Sequence, residues 1–287
     1  MMEKKIKDGD IVVIFFDYKN IYRKNLDPIR IDTKYGAILK SDLIGKMYGS
    51  IGKTNTNIKY YILEITPEIY TRIGPNMTRY LYTNDISQIV YNLSLKPGSS
   101  VIETGTGSAK LSFSILKSIL PTGKLFSFDI DDMRILQAKK DMNLLINDCI
   151  DENFICETKD FTKDEFENYS CVDALFLDLP SPWLAMKNVV KLLNIDGRFA
   201  SFSPCIEQIQ KTVLTMKRNF DQVEVYEFVK NHYGFRKFDY SEIINKDEYT
   251  NGNLIKTEKQ NTIINFGAPI GHTGYLLFAS LTNKLNL

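Results

Sequence analysis

Four carboxylates and one glycine-rich stretch carry the chemistry this chain can do. Glu103-Thr104-Gly105-Thr106-Gly107-Ser108-Ala109-Lys110 follows an apolar run ending at Val101-Ile102, and it leads into a segment with Leu111, Ile115 and Ile119 on one helical face. Glycines at 105 and 107 let the backbone turn tightly and approach a ligand. Asp129 closes Phe126-Ser127-Phe128, Asp160 follows a third apolar run, and Asp178 opens Asp178-Leu179-Pro180-Ser181-Pro182-Trp183. An acid about 20 residues past such a loop accepts hydrogen bonds from ribose hydroxyls. A carboxylate beside a rigid loop holding the chain's only tryptophan can accept from an exocyclic amine while the ring stacks on a base.

The loop discriminates among nucleotides. A dinucleotide fingerprint wants a third glycine where Lys110 stands, and no Gly-Lys-Ser/Thr closes the loop, which excludes a phosphate-cradling P-loop. An acid followed by G-x-G-x-Ala suits S-adenosylmethionine, whose sulfonium, amino group and ribose need acceptors and which lacks a pyrophosphate. Plainer readings stand beside this one. The loop serves equally as a strand-to-helix turn, and Asp131 or Asp132 can cap the next helix as well as Asp129 can. Arg134 either orders Asp129 or is solvated. Asp160, with Phe161 beside it, suits an adenine amino group and ring, yet alone it is an ordinary loop acid. Ser203, in Ser201-Phe202-Ser203-Pro204-Cys205-Ile206-Glu207-Gln208, lines the same edge or caps the following helix. Trp183 fills a rigid turn if it binds nothing.

These residues need a parallel sheet to position them. Strands are predicted at Ser100–Ile102, Leu125–Ile130, Phe154–Glu157, Ala174–Asp178 and Arg198–Phe202. Helices are predicted at Ser108–Ile119, Asp131–Asn147, Leu184–Leu193 and Ile206–Phe220, after a shorter one capped by Thr83-Asn84-Asp85. Alternation of this kind gives an α/β fold with helices on both faces. Val223–Val229 and Tyr275–Ala279 read as a closing antiparallel pair. Residues 1–75 carry short strands separated by Gly and Asp turns and no helical period, so a small N-terminal β-domain is expected, followed by the α/β domain over 76–287. The polar stretch 246–261 reads as a mobile insertion.

Composition bounds the rest. Thirty-six basic and 35 acidic side chains leave a formal charge of +1, too little for a chain that holds nucleic acid unaided. The four cysteines form no C-x-x-C pair, so no metal site is expected and reduced thiols are the simplest reading. Met1–Asp10 lacks the apolar stretch of a secretory leader, and no apolar run is long enough for a membrane span.

Five stretches taken in order carry a resemblance: Thr83-Asn84-Asp85-Ile86, Glu103–Ser108, Leu177–Trp183, Ser201–Gln208 and Gly271-His272-Thr273-Gly274-Tyr275. Together they resemble the catalytic subunits of eukaryotic tRNA N1-methyladenosine methyltransferases, which act on adenine 58. The resemblance implies a class I S-adenosylmethionine-dependent methyltransferase (Rossmann-like) domain behind a small β-domain. It also implies tRNA as substrate, a non-catalytic tRNA-binding partner in a two-plus-two heterotetramer, and a nuclear location. Leu81, Glu103, Gly105, Gly107, Ser108, Asp129, Arg134, Asp160 and Phe161 match cofactor-contacting positions, with Thr106, Ala109 and Lys110 in the same loop. Asp178 matches the catalytic aspartate and borders the cofactor; Pro180, Trp183 and Ser203 fall on the substrate side. Three residues depart from the family pattern: Arg79 for a glutamine, Ala109 for the third glycine, and Lys110 for a small residue. Two rival classes remain at this point, a tRNA-binding subunit without catalysis and a nicotinamide oxidoreductase on a similar sheet. The acids argue against the first, and Lys110 with the Pro-Ser-Pro-Trp loop against the second.

Overall fold

The computed structural model describes residues 4–78, 81–146, 150–216, 219–229, 231, 233–238, 260–265 and 273–284. Residues 1–226 and 274–287 form one compact unit and 227–273 a second. The first begins with β1 (Ile11–Asp17), β2 (Asn20–Asn25), β3 (Arg30–Thr33), β4 (Gly36–Leu39), β5 (Ile51–Lys53) and β6 (Lys59–Leu63). Strand order β2-β1-β6-β5 makes an antiparallel sheet, and β3 pairs with β4 in a separate hairpin. Val12 and Ile14 of β1 meet Leu26, Ile31, Ile38, Tyr60 and Ile62 in a core local to this region.

A helix follows that the sequence reading missed. α1 (Pro67–Ile73) opens on Thr66, whose hydroxyl accepts the Ile69 N–H at 3.4 Å, and it has proline in its first turn. Seven residues are too few for helical periodicity to stand out, so the cap was the only signal.

The α/β part runs α2 (Thr83–Asn92), β7 (Ser100–Thr104), α3 (Lys110–Ile119), β8 (Lys124–Asp129), α4 (Asp132–Leu145), α5 (Ile150–Asn153), β9 (Phe154–Thr158), β10 (Val172–Leu177), α6 (Pro182–Leu192), β11 (Leu193–Ser203), α7 (Ile206–Met216) and β12 (Phe220–Tyr226). In the second unit β13 (Tyr233–Phe238) and β14 (Gln260–Asn265) form an antiparallel hairpin. The chain then returns to the first unit as β15 (Tyr275–Leu281). Of the segment expected to be an insertion, 246–259 lies outside the described residues, and Gln260 and Asn261 open β14.

Seven strands make the main sheet, in the order β12-β15-β11-β10-β7-β8-β9. β9, β8, β7, β10 and β11 are parallel; β15 runs against β11 and β12 runs against β15, an antiparallel pair that closes the sheet as the sequence suggested. β10 is buried at all but one position, as a strand covered on both faces must be. On one face Leu175, Leu177 and Phe199 pack with Val189, Ile209 and Met216 of α6 and α7. α3 lies on the other face, and Phe113 meets Tyr70 of α1 edge-on at 5.4 Å between ring centres.

Several boundaries differ from expectation, two of them for a clear physical reason. α6 starts at Pro182 rather than Leu184, since a missing N–H costs nothing in the first turn of a helix. Phe220 belongs to a strand rather than to the end of α7, because its ring packs on Phe199 at 5.5 Å in the sheet core. Among the described residues no helix is long and apolar enough to cross a membrane.

Candidate active site

The direction of chain progression reverses at β7. Connections from it lead to β8 on one side, while β10 lies on the other. At such a switch point the loops after two neighbouring parallel strands diverge and leave a crevice at their carboxyl ends. Here those loops are the glycine loop after β7 and the Asp178 loop after β10. The Asp178 N–H donates to the Thr104 carbonyl at 3.0 Å, which locks the two together. Gly105 must be glycine: its φ is +81°, and a Cβ there would stand 2.4 Å from the Asp178 carbonyl oxygen.

A cleft with about 340 Å³ of space open to solvent lies over this junction. Leu81, Glu103, Gly105, Thr106, Gly107, Ser108, Lys110 and Asp178 all line it. Sequence reasoning missed three further lining residues, Thr78, Leu111 and Phe176. Phe176 was accessible from the period of a strand, since it shares a face with Asp178 two residues on. Thr78 gives no local signal. It arrives through the connector between α1 and α2, where a Cβ on Gly107 would stand 2.9 Å from its hydroxyl. The same connector is tied down by Ser108, whose Oγ accepts the Met77 N–H at 3.0 Å, and by Lys110, whose Nζ donates to Asn76 Oδ1 at 2.6 Å. α3 therefore starts at Lys110 rather than Ser108. Arg79 lies outside the described residues.

The acids are held differently. Glu103 is buried, and its Oε2 accepts from Ser112 at 2.6 Å and Ser127 at 2.8 Å. Burial pushes its carboxyl up to about 7, against the lowering effect of those hydroxyls and with help from Asp178 and Asp129. Asp178 is also pushed up to about 7, by burial first and then by Asp129. Asp129 organises the loop itself: Oδ2 accepts the Gly107 N–H at 2.9 Å, and Oδ1 accepts from the Asp131 N–H at 3.1 Å and Arg134 Nη1 at 3.3 Å. Asp131 caps α4, accepting the N–H groups of Met133 and Arg134. Of the two readings of Asp129, capping the helix is thus taken by its neighbour, and Arg134 orders the acid.

Other expected site residues stand outside the cleft lining. Asp160 binds its own loop, accepting from Thr162 and pairing with Lys163 Nζ at 2.8 Å, which holds it down at about 2. Phe161 is buried and stacks on Phe128 at 6.1 Å between ring centres. Ala109 is buried in the left-handed region, φ +53°. The Pro180 carbonyl accepts from Gln208 Nε2 at 2.9 Å, and Trp183, half-buried on the first turn of α6, carries the Lys211 ammonium 4.9 Å from its ring centre. Ser203, at the end of β11, is buried.

This arrangement matches known proteins. Residues 59–281 match the model of the tRNA methyltransferase complex GCD14 subunit. The chain belongs to the GCD14 family. A curated relative, the tRNA (adenine(58)-N(1))-methyltransferase catalytic subunit trmt61a of Dictyostelium discoideum, is 32% identical, covering 96% of this chain and 96% of its own. Among solved structures, a SAM-dependent O-methyltransferase from Thermotoga maritima superposes with a TM-score of 0.76 at 24% identity, covering 97% of this chain and 95% of that one. The tRNA (m1A58) methyltransferase TrmI from Aquifex aeolicus does so with a TM-score of 0.73 at 21% identity, covering 98% of this chain and 100% of its own. The fold of this GCD14-family chain is that of class I S-adenosylmethionine-dependent methyltransferases, and S-adenosylmethionine is its cofactor. The residues present fit that molecule. Two carboxyls pushed up to about 7, Glu103 buried and Asp178 partly exposed, suit a ligand that brings a sulfonium and an ammonium and so favours their ionised forms. The glycine backbone leaves room where any Cβ would collide.

Proposed function

We infer that this chain is the catalytic subunit of a tRNA (adenine-N1)-methyltransferase acting on adenine 58. The observation that carries the reading is the bond from Asp178 N–H to the Thr104 carbonyl, which fixes the Asp178 carboxylate on the lining of the cofactor's own cleft. When bound, the cofactor supplies an electrophilic methyl group on a sulfonium. Adenine N1 would take that methyl with its neutral lone pair, the N–C bond forming as the S–C bond breaks and the neutral thioether leaves, so the chain needs no base beforehand. Asp178, ionised, accepts from the N6 amino group, orients the base, and stabilises the positive charge that grows on the ring as N1 is alkylated. Pro180 and Trp183, on the loop and first helical turn after Asp178, and Ser203, at the end of β11, are the residues we assign to the extruded base and its neighbours.

A partner completes the reading. With a net charge of +1, the chain leaves much of the phosphate field to another surface. From the family resemblance we assign that surface to a non-catalytic subunit, in a heterotetramer of two plus two, and expect the complex in the nucleus. The test is a methyl-transfer assay on unmodified tRNA with and without the candidate partner, reading the modified nucleoside by mass. N1-methyladenosine at position 58 is expected with the partner present; no product under either condition overturns the catalytic assignment. Fluorescent tagging of the chain in cells checks the nuclear location.

A further inference from the structure

Lys110 is the residue of the glycine loop that least fits a plain methyl-donor site, and its surroundings suggest a role. It is the first residue of α3, only 3% exposed, and it lines the cleft together with Glu103 and Asp178. Its ammonium is steered by Asn76 Oδ1 at 2.6 Å, in the connector that also supplies Thr78 to the cleft. Every other charged residue of the lining is an acid. Those acids suit the cationic groups of S-adenosylmethionine, whose remaining charged group is the carboxylate of its methionine end.

We propose that Lys110 is a specificity-determining residue that grips the cofactor's α-carboxylate, with Asn76 holding the ammonium in place. This rests on the cofactor assignment above. The grip is a charge-assisted hydrogen bond from a buried donor, and it acts only on ligands that carry the carboxylate. Lys110 thus lets the cleft tell S-adenosylmethionine from its decarboxylated form, which keeps the sulfonium, the amine and the nucleoside.

Calorimetric titration of the full-length chain with both compounds tests this. The ratio of the two dissociation constants is compared between wild type and Lys110→Met. The substitution is expected to weaken S-adenosylmethionine selectively, shifting that ratio by roughly tenfold or more, the loss of one charge-assisted bond. Lys110→Arg should keep most of the discrimination. Asn76→Ala removes the tether but not the ammonium and should shift the ratio by less than Lys110→Met does. It also serves as the readout, through a smaller shift of the same sign, if the methionine variant does not fold. Equal weakening of both compounds by Lys110→Met makes the lysine a structural tether and overturns the grip. Wild-type chain that binds neither compound overturns the cofactor assignment as well.

Discussion

Two regions of this molecule hold carboxylates in opposite ways, one at Asp141 and the other at Glu103 and Asp178. Asp141 of α4 is 3% exposed and receives Arg23 of β2 at 2.9 Å on one oxygen and the Tyr70 hydroxyl at 2.9 Å on the other. Arg23 also stands 5.5 Å from the centre of the Tyr70 ring. Charge and hydrogen-bonding capacity are both met inside the fold, and the acid fastens the N-terminal sheet and α1 to α4. Among the described residues no cation pairs with Glu103 or Asp178. Hydroxyls hold Glu103 and the Thr104 carbonyl holds the Asp178 backbone N–H, and each carboxyl is pushed up to about 7. A buried acid balanced by its own chain is a structural joint. One left for a ligand to balance is a binding group.

The sharpest way to break this contrast is to remove one acid from each region. Asp178→Ala should lower methyl transfer by about 10²–10³-fold, the usual cost of losing a group that stabilises developing charge. Folding stability should hold or rise near neutral pH, because a carboxyl whose charged form the fold disfavours has been removed. Single-turnover kinetics and denaturant titration read the two effects, and retained activity would reject the catalytic role. Asp141→Ala should do the reverse. Losing one partner of a buried pair costs roughly 3 kcal/mol, so the denaturant midpoint should fall. Turnover per folded molecule should stay within about twofold of wild type, since Asp141 does not line the cleft.

A smaller effect tests the rim acids through pH. Their unfolded values are near 4.5 and 3.8, and both lie near 7 in the fold. For a raised acid, the contribution to stability is full below the unfolded value and is lost as pH rises through the folded one. The cofactor-free chain should therefore lose stability from this pair between about pH 4 and 7. A cationic ligand favours the ionised carboxyls, so affinity for S-adenosylmethionine should rise by roughly tenfold from about pH 6 to 8, with protons released on binding. Calorimetry in buffers of different ionisation enthalpy measures that release. A flat affinity with no proton release would place the cofactor's positive charges away from Glu103 and Asp178.

How much of this was legible beforehand follows from where each signal resides. The parallel strands announced themselves as apolar runs, and Glu103, Gly105, Gly107 and Asp178 could be found because strand ends and glycine turns are local features. Their convergence on one cleft is a property of strand order, which the alternation of strands and helices implied. Thr78 could not be found, because a connector's path over the glycine loop is set by Ser108 and Lys110 from α3's start and not by its own residues. The serines on Glu103 were equally hidden: Ser112 and Ser127 read as small polar interruptions of apolar segments until α3 and β8 face β7. Asp141 carried no sequence signal at all, since its partners lie 118 and 71 residues away.

The smallest expected effect concerns Ala109, in the glycine loop. Its backbone sits at φ +53°, ψ +23°, a left-handed conformation that costs a residue with a Cβ about 1–2 kcal/mol. Ala109→Gly relieves that strain. It also frees the unfolded chain, at a cost of about 0.4–1 kcal/mol, and it removes a methyl group that is 1% exposed, worth about 0.8 kcal/mol. The gain and the two losses are of similar size, so the denaturant midpoint should barely move, within about 0.5 kcal/mol of wild type. A loss well beyond that would mean the methyl packs against the sheet more tightly than its area suggests. A clear gain would mean that strain dominates and that this loop, unlike the joint at Asp141, holds a conformation its own sequence opposes.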